Sequence, residues 1–300
     1  MKAMCLTGLV VALVVIAAHA QLPATFSVSD QWAQLPAGTE WGPISAITSD
    51  AKGSVVVLRR TFPSVFLFTT DGEFVKSWGS EGLFNGSGAH GVRVDRDGFL
   101  WATDTLFNVI YKMTMDGTVV LQVGKRGVTG GNDSRDAFDR PADVVVAANG
   151  DFFVADGYGN SRVVKFSKDG RFIKIIGGEK GIKPGQFDLV HSIVIDSKGR
   201  LLVGDRTNAR VQIFDQDGKF IEQWIGLGQP YGLYITSDDI LYVGDAAGGT
   251  ITIAKDGKPL DVIRDLGRPH WVTVDATGAI YMTDVRGFVK KIVRAGSVGR

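Results

Sequence analysis

Between Ile44 and Val293 one pattern recurs six times, and no helical apolar period interrupts it. Each unit opens with a short alternating run and turns through Asp-x-x-Gly or a relative of it. A second apolar run follows, usually ending in aspartate, and then a third and fourth run divided by another Asp-Gly. Val-Asp-Arg-Asp-Gly-Phe-Leu-Trp-Ala-Thr-Asp104 and Ile-Asp-Ser-Lys-Gly-Arg-Leu-Leu-Val-Gly-Asp205 are two copies of the first half. Alternation at period two between Gly-bearing turns is the signature of hairpins. Four strands in about 40 residues cannot bury both faces of one small sheet, so the units must pack on one another. Four-stranded units packed radially make propeller blades. The expected fold is therefore all-β, a six-bladed β-propeller. The last unit is short of a strand, which the segment from Thr25 to Pro36 can supply, closing the ring without a free sheet edge. No linker divides residues 21–300, which are expected to form one domain. The Gly-rich inserts at 124–140 and 177–188 read as long loops between blades, where binding sites are commonly shaped.

Only four histidines occur, and three fall on one position of the repeat. The units begin near Ser45, His90, Ala142, His191, Tyr231 and His270, so histidine occupies the slot in repeats two, four and six. The slot starts the first strand of each unit, the strand that lines a propeller's channel. Alternate blades of a six-fold ring stand roughly 120° apart, so three imidazoles at one depth converge on the axis. Three histidines with a fourth position open form a catalytic zinc arrangement, although other divalent first-row ions accept the same donors. Water-bound channel histidines are the ordinary alternative for any one of them, but that reading does not account for their alternation. Asp104, Asp156, Asp205, Asp245 and Asp284 close the second run of five units and are expected to accept backbone hydrogen bonds at turns. The first unit has Arg59-Arg60 there instead, and Arg206 follows Asp205. Arginine at a strand end beside the channel suits bidentate capture of a carboxylate, against the plainer reading of an exposed side chain without a role.

Residues 1–20 read as a signal peptide: Lys2, an apolar run from Leu6 to Ala18, and Ala18-His19-Ala20 as a cleavage site. The run is short for a membrane span, and an uncleaved anchor is the alternative. Cleavage near Ala20 would leave a secreted or periplasmic protein with no cysteine, since Cys5 is the only one. The formal net charge of +1 carries no nucleic-acid footprint and no membrane-surface footprint. A monomer acting on a small molecule or peptide is expected, without stable membrane insertion.

The repeats resemble NHL repeats, most closely at Asp-Phe-Phe-Val-Ala-Asp156-Gly-Tyr158-Gly-Asn160-Ser161-Arg162. Together with His191-Ser192 and Asp205-Arg206, this segment resembles the peptidyl-α-hydroxyglycine α-amidating lyases over roughly Ile44 to Val293. The resemblance implies an exported, zinc-dependent lyase that splits an α-hydroxyglycine hemiaminal into an amide and glyoxylate. It implies His90, His191 and His270 as zinc ligands and Tyr158 as the base on the substrate hydroxyl. Arg206 would stabilise the phenolate, and Arg60 would bind substrate. The family carries Arg-Gly after histidine where this chain has Arg59-Arg60-Thr61, so the register at Arg60 is looser. The resemblance also implies an axial calcium held by the carbonyls at Ile47 and Val92 and by an aspartate. Trp271 replaces that aspartate, and loss of the anionic ligand weighs against calcium.

Two other functions fit a propeller of this kind. A non-enzymatic NHL propeller would bind a protein or saccharide on one face and would not need the histidines. Another metal-dependent propeller hydrolase, such as a lactonase, would favour a carboxylate-rich site over a histidine-lined channel.

Overall fold

The computed structural model describes residues 26–295, so residues 1–20, expected as a signal peptide, lie outside the described residues. Six antiparallel four-stranded sheets form the blades of a propeller. Their innermost strands are Ile44–Ser49, Ala89–Val94, Asp143–Val146, Val190–Ile195, Gly232–Ile235 and Pro269–Val274. Helical structure among the described residues is limited to one 3-10 turn, Gly86–Gly88. In five blades the four strands follow one another in sequence. The sixth is completed by Phe26–Ser29, which pairs with Phe288–Arg294 in the register Phe26↔Arg294 to Ser29↔Lys291. The closing strand thus lies within the segment expected to supply it.

The turn chemistry explains why the hairpins form. Asp95, Asp196 and Asp275 each receive two backbone N–H groups, two and four residues on, through Oδ1 at 2.8–3.1 Å. The glycines in these turns, Gly98, Gly199 and Gly278, take φ of +84°, +77° and +84°, where a Cβ would be strained. Beyond the paired strand, the N-terminal segment wedges Trp32 between blades one and six. Its ring lies 5.6 Å from Phe68 and 5.0 Å from Tyr281, and its indole N–H donates to Thr70 O at 2.8 Å.

Aspartates at the ends of the second strands tie the chain together. Asp104 accepts N–H groups from Asn85, Leu106 and Phe107. Asp156 and Asp205 each accept one N–H from the incoming inter-blade loop and also hold Arg162 and Arg210. Those arginines reach on to loop carbonyls, Ser134 and Ala137 for Arg162, and Ile182, Lys183 and Gln186 for Arg210. The two long inserts are therefore pinned at their bases. Blade one inverts the polarity: Arg59 donates to the carbonyls of Trp41 and Glu40, and its guanidinium lies over Phe66.

The Asp156–Arg162 pair is fully buried at 2.9 Å. Burial pushes the Asp156 carboxyl up, and Arg162 is the main group opposing that shift. Removing the cation strands a buried carboxylate, which costs about 3–5 kcal/mol. Urea denaturation of Arg162→Met should show a loss of that order. Lys125→Ala, which breaks the exposed Lys125–Asp136 pair, should stay within about 1 kcal/mol.

Candidate metal centre

His90, His191 and His270 stand at the starts of the innermost strands of blades two, four and six. In each blade the ladder register skips the histidine, between Ala89 and Val92, Val190 and Ser192, and Pro269 and Trp271. A bulge leaves a residue out of the ladder and re-aims its side chain, here toward the channel. The result is a triangle of imidazoles with ring centroids 4.9, 5.1 and 5.0 Å apart, all buried. One ligand nitrogen from each lies within 4.8 Å of the others.

The remaining three slots complete the arrangement through their backbones. His90 Nδ1 lies 2.9 Å from Ala142 O, His191 Nδ1 2.5 Å from Tyr231 O, and His270 Nδ1 2.7 Å from Ser45 O. A carbonyl can only accept, so each Nδ1 carries its hydrogen and each Nε2 lone pair is free. Every histidine is oriented by the slot residue of the next blade, and the last of these contacts closes the ring from blade six to blade one. Such outer contacts are what hold metal-binding imidazoles in one tautomer.

Tyr158, in the loop after the second strand of blade three, places Oη 2.9 Å from both His90 Nε2 and His191 Nε2. One hydroxyl hydrogen faces several inward lone pairs. Protonating the imidazoles is not a remedy. Burial holds His90 and His191 well below the ordinary histidine range, and neighbouring histidines and Arg206 push both further the same way. Burial likewise lowers His270 to about 4, with Arg60 and Arg206 adding to the effect against the Ser45 carbonyl. Neutral, converging, pre-oriented nitrogen donors fit a divalent ion of the zinc class.

Two cations overlook the triad. Arg60 and Arg206 each follow the last residue of a second strand, in blades one and four, on opposite sides of the ring. Arg206 lies 4.5 Å from the Tyr231 ring and 5.6 Å from the Tyr158 ring. Arg60 acts electrostatically on His90, His270 and Tyr158, and its buried Nε has no partner. Among the described residues neither arginine is ion-paired to a carboxylate. Burial pushes the Tyr158 hydroxyl above its ordinary value, with Arg206 and then Arg60 opposing.

The structure thus brings His90, His191, His270 and Tyr158 into contact, with Arg206 beside the Tyr158 ring and Arg60 close enough to act on His90, His270 and Tyr158 electrostatically. Sequence reasoning passed over Tyr231, whose carbonyl orients His191 while its ring seats Arg206. Its place in the histidine slot beside Gly232 was the available signal. The carbonyl of Ala142 left no signal, because any residue supplies one.

Comparison with known proteins agrees with the repeat reading. A family model described as NHL repeat matches residues 138–166 and 187–214. These are the blades that carry the buried Asp156–Arg162 and Asp205–Arg210 pairs. The chain is 32% identical over 270 residues to peptidyl-glycine alpha-amidating monooxygenase B of Xenopus laevis, covering 77% of this chain and 30% of that protein. It is 33% identical over 174 residues to NHL repeat-containing protein 3 of Homo sapiens, covering 54% of this chain and 48% of that one. A probable peptidyl-alpha-hydroxyglycine alpha-amidating lyase of Caenorhabditis elegans is 36% identical over 128 residues, 42% of this chain and 36% of that one. The matched region thus spans less than half the length of each relative.

His90→Ala should abolish stoichiometric divalent metal uptake, measured by elemental analysis after dialysis against zinc. Ala142→Ser keeps the carbonyl on which His90 depends and should bind metal as the unaltered protein does.

Proposed function

From an NHL-repeat six-bladed β-propeller with homologues named as amidating enzymes, we propose a metal-dependent carbon–nitrogen lyase acting on α-hydroxyglycine hemiaminals. The observation that carries this reading is the combination of a neutral three-histidine centre, a tyrosine oxygen 2.9 Å from two of its nitrogens, and two arginines without carboxylate partners. Zinc is the proposed ion, and export after loss of residues 1–20 is part of the proposal.

His90, His191 and His270 would hold the ion. When bound, the metal supplies Lewis acidity that lowers the pKa of a hydroxyl placed against it. Tyr158 is positioned to take the hydroxyl proton. Its buried phenol is a poor base without added positive charge, and Arg206 and Arg60 contribute part of that charge. As the proton leaves, the oxygen electron pair forms the new carbonyl bond and the carbon–nitrogen bond breaks. The amide nitrogen takes up a proton, and no water is consumed. The products are an amide and glyoxylate. Guanidinium groups from opposite blades suit the substrate carboxylate, because neither is neutralised by a carboxylate of the protein.

Glyoxylate release from an α-hydroxyglycine substrate by the metal-loaded protein tests this reading. Tyr158→Phe should lower kcat by about 100-fold or more while leaving metal content unchanged. Tyr231→Leu keeps its carbonyl but frees Arg206, so kcat/KM should fall about 10-fold with metal retained. Tyr231→Phe, which preserves the ring, should restore it. Metal binding without glyoxylate would end the lyase reading and leave the centre standing.

Similarity to a relative named only for its NHL repeats supports a second reading, a propeller that binds a ligand on one face. That reading expects ligand binding to be indifferent to His191→Ala.

A further inference from the structure

The axis beside the histidine triad is occupied by a side chain. Trp271 is fully buried, and its ring lies 5.9, 6.3 and 6.1 Å from the rings of His90, His191 and His270. Near-equal distances to three rings that form a near-equilateral triangle put the indole on the axis. Successive residues of a regular strand point to opposite faces. The bulge between Pro269 and Trp271 breaks that rule at blade six, so His270 and Trp271 both serve the channel.

Two glycines make the room. A Cβ on Gly91 would lie 3.2 Å from the Trp271 ring and 2.5 Å from Ala142 O. One on Gly232 would lie 2.8 Å from Trp271 Cα. Both glycines directly follow a slot residue, His90 and Tyr231.

A cation already sits against the indole. The Arg93 guanidinium is 5.0 Å from the Trp271 ring centroid. Arg93 also forms a bidentate pair with Asp143, at 3.1 Å from Nε to Oδ1 and 2.6 Å from Nη2 to Oδ2. Asp143 is fully buried and also accepts N–H groups from Val144 and Ile193, so the ion pair ties blades two, three and four together. On its other side Arg93 lines a cavity of about 250 Å³ with Thr48, Val94, Val146, Ile195 and Tyr234, at the strand ends remote from the histidines.

The family resemblance places a calcium on this axis, and these residues do not fit one. Calcium takes six to eight oxygen ligands and needs anionic charge. Here the side chain at 271 is an indole, the nearby carboxylate is spent on Arg93, and the local cation is a guanidinium. We propose that Trp271, backed by the Arg93–Asp143 ion pair, takes the place of an axial calcium, so that side chains rather than a calcium ion close the propeller core beside the histidines. This goes beyond the lyase reading and does not depend on it.

Calcium titration of the full chain, stripped with chelator, is the direct test. A ligand in thousand-fold excess over its dissociation constant moves the melting temperature by several degrees. Millimolar calcium should leave the midpoint unchanged and give no binding heat. One tightly bound calcium per chain with a raised midpoint would overturn the proposal. Cobalt supplies a second measurement. Loading the histidines should quench part of the tryptophan emission, and that part should vanish in Trp271→Phe, which keeps an aromatic plug and binds cobalt equally. Quenching of the same size in the variant would overturn the axial placement of Trp271. Failure of cobalt to bind would count against the metal centre, while the calcium result would still decide this proposal.

Discussion

The contact from each imidazole Nδ1 to a carbonyl of the next blade is the interaction on which the centre depends. It fixes three tautomers at once, and it does so only if neighbouring innermost strands start at the same height. That height is set by ring closure, because His270 is oriented by Ser45 across the junction of blades six and one. The closing strand Phe26–Ser29 and the Trp32 wedge hold the same junction together. Fold and site are thus coupled through one seam, and weakening the seam loosens His270.

The same side-chain types do opposite work according to their partners. Arg162 and Arg210 are buried against Asp156 and Asp205, so their charge is cancelled and their hydrogen bonds are spent on loop carbonyls. Arg206 is seated by aromatic rings instead. A π face holds a guanidinium without neutralising it, which keeps the charge available to an anion in the pocket. Arg93 is the intermediate case, held by both Asp143 and Trp271. Arg206 thus keeps beside the histidines a charge that Arg162 and Arg210 have spent on the scaffold.

How much could be read in the sequence follows from which interactions are local. Asp-x-x-Gly turns are closed by residues within four positions of one another, so blade number and ring closure were legible. The histidine alternation was legible because side-chain identity carries it. The bulges were not, since they are register shifts against the second strand and leave no residue-type mark. Nor could the carbonyls that orient the imidazoles be found, because Ser45, Ala142 and Tyr231 share only a backbone. Substitution at position 271 pointed away from calcium, but not to Arg93 and Asp143, which lie far from Trp271 in sequence.

A triad of lone pairs in a buried channel is itself a destabilising feature. Tyr158 offers one hydroxyl hydrogen to the Nε2 atoms of both His90 and His191, whose burial disfavours protonation, so two acceptors share a single donor. The surrounding structure must offset that cost. Trp271 contributes by packing against all three rings. The Arg93–Asp143 pair contributes by joining three blades beside the indole. A second dication on the axis would repel the first and would compete for the same stabilising position. Filling that position with an indole closes one side of the channel with side chains alone, at the cost of leaving the buried Trp271 indole N–H without a partner.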